Sequence, residues 1–95
     1  MKFNSLIPEL TVADIKRTKA FYLEVLHFTI EYERQEDNFI FISLEENQMM
    51  FEQDNGNWSV GELEYPYGRG INFEMRVSHV EELYQRVLDF GIKPF

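Results

Sequence analysis

Cysteine is absent from the 95 residues, which excludes a disulfide framework and any thiolate metal site. A chain without disulfides suits a reducing cytoplasm, the compartment expected here. Basic residues are scarce: nine Lys and Arg stand against seventeen Asp and Glu, a formal charge of −8. Such a surface repels phosphate backbones, so nucleic acid is not an expected partner. The same surplus either concentrates cationic small molecules near the protein or only keeps it soluble. No apolar run is long enough to cross a bilayer, and Met1 to Ser5 carry no signal-like apolar stretch. Proline and glycine are too few, at three and five, for a disordered chain. Aromatic residues, by contrast, are plentiful: nine Phe, five Tyr and one Trp. Together these features describe one globular domain with a modest core.

The hydrophobic pattern divides the chain into short elements. Leu6 to Val12 alternates loosely as a first strand, and Pro8, which cannot donate a ladder hydrogen bond, implies that it lies at a sheet edge or pairs irregularly there. Asp14 is the expected N-cap of a helix running to about Leu26, with Ile15, Thr18, Tyr22, Val25 and Leu26 on one stripe. Phe28 to Glu33, Phe39 to Leu44 and Gln48 to Gln53 then read as an antiparallel meander, separated by the polar turns 36–38 and 45–47. Residues 54–69 form a turn-rich linker. Ile71 to Val77 alternates as another strand. Ser78 and Glu81 have capping-box spacing, Val80, Leu83, Tyr84, Val87 and Leu88 form a helical stripe, and Gly91 suits a helix C-terminus.

The second strand–helix unit repeats the first. Leu10 to Ile15 matches Met75 to Val80 in order, and Tyr22, Val25, Leu26 and Phe28 match Tyr84, Val87, Leu88 and Phe90. The first copy reads β-α-β-β-β and the second only β-α, since equivalents of residues 34 to 53 would fall past Phe95. The expected fold class is α+β: paired βαβββ modules, the first complete and the second truncated after its β-α. The expected layout is module one at 5–53, a linker at 54–69 and a partial module two at 70–95.

Ile7 to Asp14, Phe21-Tyr22 and Val25-Leu26 resemble the opening module of the vicinal-oxygen-chelate superfamily, which holds glyoxalases, bleomycin-resistance proteins and extradiol dioxygenases. Arg69 to Val77, followed by Val80 to Tyr84, is similar to the opening of that family's second module. The resemblance implies two modules curving around a shared cavity, often completed by a second subunit. It also implies four metal-ligand positions in the metal-bearing members. Three of these fall on Ile7, Glu52 and Asn72, and the fourth has no counterpart. Ile cannot ligate a cation and Asn is a weak neutral ligand, so no metal or other cofactor is expected. This pattern, with Pro8 beside the first position, resembles the bleomycin-resistance branch.

The candidate ligand-binding residues are therefore Glu52, Trp58, Phe39, Phe41 and Asn72; no catalytic residue is assigned. Glu52 shares a strand face with Gln48 and Met50, where it either meets a cationic ligand or ends the strand in solvent. Trp58 lies in the linker, as a lid over a pocket or as an anchor. Phe39 and Phe41 share a face, as flat walls or as plain core. His27 and His79 fit helix-terminus positions and lack the neighbours of a catalytic histidine. The first expected function is a binding protein that sequesters a bulky cationic or aromatic compound, as a homodimer that exchanges strands or modules. The second is a metal-dependent lyase, isomerase or dioxygenase of the same superfamily. An inactive remnant is the third.

Overall fold

The computed structural model describes residues 2–56 and 61–93. Its centre is a four-stranded mixed sheet in the order β1-β4-β3-β2, formed by Glu9–Val12, Thr29–Arg34, Phe39–Leu44 and Asn47–Gln53, numbered in chain order. Strands β2, β3 and β4 form the expected antiparallel meander, while β1 joins the outer edge of β4 in parallel, Glu9 opposite Met50 and Val12 opposite Gln53. The first strand is shorter than its sequence pattern. Pro8 has no N–H for a ladder, so its carbonyl only accepts from the Met50 N–H at 2.9 Å, and Leu6 is exposed.

Helix α1 covers Ile15–Lys19 and continues as a wider π-type turn over Ala20–Val25. Asp14 caps it as expected: its carboxylate accepts from the N–H groups of Lys16 and Arg17 at 3.0 and 3.3 Å. The Ile15 N–H, one of the donors left free at a helix start, reaches the Gln53 side chain at 3.0 Å, tying the helix to β4. Lys19 adds an ion pair with Glu33 on β2. The helix lies against one sheet face, where Ile15, Phe28, Ile40, Ile42, Met49 and Phe51 form the buried core. Tyr22 fits between the two layers, edge-on to Phe28 at 5.3 Å and tilted against Phe51 at 4.8 Å. Period-two alternation therefore sends Ile40, Ile42, Met49 and Phe51 to the helix side, and Phe39, Phe41, Met50 and Glu52 to the other.

Two expectations for the second half need correction. The strand expected over 71–77 is not formed; those residues run as irregular, largely exposed chain. A strand needs a ladder partner, and the described second half supplies only this segment and the helix after it. The capping box expected from Ser78 and Glu81 is also absent. Helix α2, Val80–Asp89, starts after His79 with no side-chain cap. The Ser78 N–H and hydroxyl donate instead to the two carboxylate oxygens of Glu45, at 2.8 and 2.6 Å. The Glu45 carboxylate thus takes the Ser78 N–H that a capping box would give to the equally charged Glu81.

The helix end follows the sequence. Gly91 takes φ +101°, its N–H donates to the Leu88 carbonyl at 3.0 Å and the Ile92 N–H to the Val87 carbonyl at 3.2 Å, the two bonds of a Schellman cap. Arg86 holds α2 beside the first helix by donating from Nε to the Val25 carbonyl at 3.0 Å. The apolar stripe of α2 is left largely uncovered: Val80, Tyr84 and Leu88 are exposed, as are Ile71, Phe73 and Met75 before it. No described helix is long and apolar enough to cross a membrane.

Candidate ligand-binding face

The sheet face away from α1 is where the candidate residues gather. Phe39 and Phe41 alternate along the central strand β3, and both are buried. Register sets Glu52 directly opposite Phe39, and Met50 opposite Phe41. On the other side of Glu52 lies Thr11 of β1. Three of the five predicted residues, Phe39, Phe41 and Glu52, therefore share one surface. Asn72 does not lie in that sheet; it stays exposed on the irregular segment 71–77. Trp58 falls outside the described residues.

Two neighbours complete the surface that sequence reasoning did not single out. Tyr32 and Arg34 on β2 stand opposite Phe41 and Phe39. The Arg34 guanidinium lies 4.3 Å from the centre of the Phe39 ring and 5.6 Å from that of Tyr32, and it pairs with Asp37 at 2.9 Å. Hydrogen bonding to Tyr32 first, and to Asp37 second, holds its pKa above the ordinary arginine value. The signal was available: once the turn at 36–38 closes the hairpin, Arg34 must face Phe39. A register irregularity between Ile30 and Tyr32 lets Glu31 reach the Ser43 hydroxyl, which donates to it at 2.7 Å.

Charge on this surface is uneven. Arg34 is neutralised by Asp37, while Glu9, Glu31 and Glu52 bring carboxylates with no basic side chain bound to them among the described residues. Among the described residues Glu52 accepts a side-chain hydrogen bond from Asn55, at 3.2 Å. The face thus sets two buried rings, Phe39 with the Arg34 guanidinium over it, among carboxylates. Those are the elements needed to hold an aromatic ring or an organic cation.

The residues do not fit a metal ion. Ile7 offers no donor atom, Asn72 lies outside the sheet that carries Glu52, and among the described residues no three His, Asp or Glu side chains converge. A concavity of about 610 Å3 opens beside α1 between Val12, Arg17, Tyr22, Tyr67 and Phe90, and none of Phe39, Phe41 and Glu52 lines it. Burial there pushes the Tyr22 hydroxyl above its ordinary pKa, so it stays protonated and neutral.

Solved structures share this fold. FosX, a genomically encoded fosfomycin resistance protein from Listeria monocytogenes, is 19% identical, with 98% of this chain and 70% of that one covered at a TM-score of 0.61. The integron cassette protein HFX_CASS4, from the mobile metagenome of the Halifax Harbour sewage outfall, is 16% identical, with 94% and 72% covered at 0.61. The fold is an α+β fold of the glyoxalase type. A glyoxalase/bleomycin resistance protein/dioxygenase superfamily member from Vibrio splendidus 12B01 is 35% identical, covering 87% of this chain and 65% of that one, at a TM-score of 0.47. This chain therefore spans less than two thirds of the length of the Vibrio protein. No protein-family model matches the sequence, and no curated protein does. The four-stranded sheet with α1 behind it forms a βαβββ module.

Proposed function

We propose that this superfamily-type domain is a small-molecule-binding protein that sequesters a bulky cationic or aromatic compound on the Phe39–Phe41–Glu52 face. The pairing of Phe39 with Glu52 across β3 and β4 carries this reading, because it sets a carboxylate beside an aromatic wall. A ring stacks on the phenylalanines while a positive group meets Glu52, and the surplus of acid draws the cation in. Asn72, outside that sheet, belongs to a second wall of the enclosure. A second copy of the chain supplies the rest, covering Ile71, Phe73, Met75, Val80, Tyr84 and Leu88, whose exposure in the single chain supports a homodimer. The compartment is the cytoplasm.

The test uses proflavine, a flat organic cation, followed by fluorescence titration and native mass spectrometry. Glu52→Gln keeps the shape and removes the charge, so it should weaken binding about tenfold, the lower end for a hydrogen bond to a charged group. Phe41→Leu should weaken it as well. Equal affinity in all three proteins would remove this face as the site. A stoichiometric divalent metal that disappears in Glu52→Ala would transfer the reading to a metal-dependent enzyme.

A further inference from the structure

The candidate face is already partly occupied by the chain itself. Phe3 lies on Phe41 with ring centres 5.4 Å apart and planes only 8° from parallel. The backbone on both sides of Phe3 is held by one side chain: the Asn4 N–H donates to Gln48 Oε1 at 2.7 Å, and Gln48 Nε2 donates to the Lys2 carbonyl at 2.7 Å. The Asn4 side chain also donates to the Glu46 carbonyl. Gln48 stands two residues before Met50 on β4, so it belongs to the same face as Phe41 and Glu52. Nothing in the hydrophobic pattern of Lys2-Phe3-Asn4 requires this docking, and no secondary structure fixes the segment. Phe3 remains 60% exposed, so it covers Phe41 without being covered in turn.

We propose that Lys2–Asn4 form a displaceable strap, and that the ligand of this face is a flat aromatic ring that takes the place of Phe3 on Phe41. The inference rests on the binding reading above and deepens it by naming the ring as the group recognised. Phe3 reproduces what such a ligand does: it stacks face to face, offset, in the geometry that aromatic pairs prefer. Gln48 is the latch, because its amide uses a donor and an acceptor at once on the backbone flanking the ring. A strap that must open lowers the apparent affinity by the fraction of molecules found open, so losing the strap tightens binding. A ligand with no flat ring gains nothing from the vacated position.

Proflavine titration of the unaltered chain, Phe3→Ala and Gln48→Ala separates the outcomes. Both substitutions lie at exposed or half-buried positions outside the core, so folding is retained. With the strap closed in nine molecules of ten, each variant should bind about tenfold more tightly than the unaltered chain. Equal affinity in the three proteins overturns the strap and leaves the binding face standing. Weaker binding in Phe3→Ala also overturns displacement, because the ring would then be sandwiching the dye. Absence of binding in all three overturns the binding reading, and the strap falls with it.

Discussion

Ile42 offers the sharpest check on which face of β3 carries the core. It is fully buried, in the centre of the layer between the sheet and α1, opposite Met49. Ile42→Val deletes one methylene, which removes about 0.8 kcal/mol of transfer energy and leaves a small cavity. The expected loss is about 1 kcal/mol, in the middle of the range for this substitution. Leu6→Ala deletes three carbons from a side chain that is 82% exposed, so little transfer energy is at stake. Scaling about 2.4 kcal/mol for three methylenes by the buried fraction leaves about 0.4 kcal/mol. The larger deletion is therefore the milder one. Urea denaturation measures both: with a slope near 1 kcal/mol/M, Ile42→Val moves the midpoint by about 1 M and Leu6→Ala by less than half of that. An Ile42→Val midpoint equal to the parent's, at unchanged slope, would refute the placement of β3 in the core.

The contact between Glu45 and Ser78 predicts a local titration. The Ser78 hydroxyl first, then its N–H, holds the Glu45 carboxyl below its ordinary pKa, against a smaller opposing effect of desolvation. A depressed carboxylate contributes its stability above the unfolded value, about 4.3, and loses it as the pH falls through the lower folded value. Ser78→Ala should return the Glu45 midpoint part of the way, since the backbone N–H remains; an unmoved midpoint by carboxyl-carbon NMR would rule the hydroxyl out. At the other end of α2, a Cβ on Gly91 would meet nothing within 4 Å, so Gly91→Ala costs backbone strain alone, about 1–2 kcal/mol at positive φ. Amide exchange at Ile92 reads it, and an unchanged rate would deny the Schellman cap.

Module one was legible because each of its signals was local. Asp14 before an amphipathic stripe and polar turns at fixed places specify structure within a few residues, whereas the alternation over Phe28 to Glu33 is broken between Ile30, opposite Ile42, and Tyr32, opposite Phe41. Period two alone set Phe39 with Phe41 and Glu52 with Gln48 and Met50; that the two sets share one face came only from the β3–β4 register. Ile71 to Val77 alternates just as well, yet it forms no strand, because pairing depends on what lies beside it and not on its own pattern. Ser78 shows the same limit at a single residue. Its spacing to Glu81 is a capping signal, but the folded chain brings Glu45 within reach, and no window of sequence around Ser78 contains that residue. Phe3 and Gln48 were missed for a related reason: an isolated ring outside any periodic segment carries no sign of where it docks.

The parallel edge has a consequence for the order of events in folding. Strands β2, β3 and β4 meet through short turns, so their contacts close with little loss of chain entropy. Strand β1 joins only when Glu9 finds Met50, after helix α1 and the whole meander have been looped out between them. Contacts so distant in sequence are costly to close early. The meander is thus the nucleus, and β1, with Lys2–Asn4 upstream of it, is the last part to arrive and the first to leave. Substitutions at Leu10 or Val12 should accelerate unfolding with little change in the refolding rate, whereas slower refolding from either would place β1 in the nucleus instead.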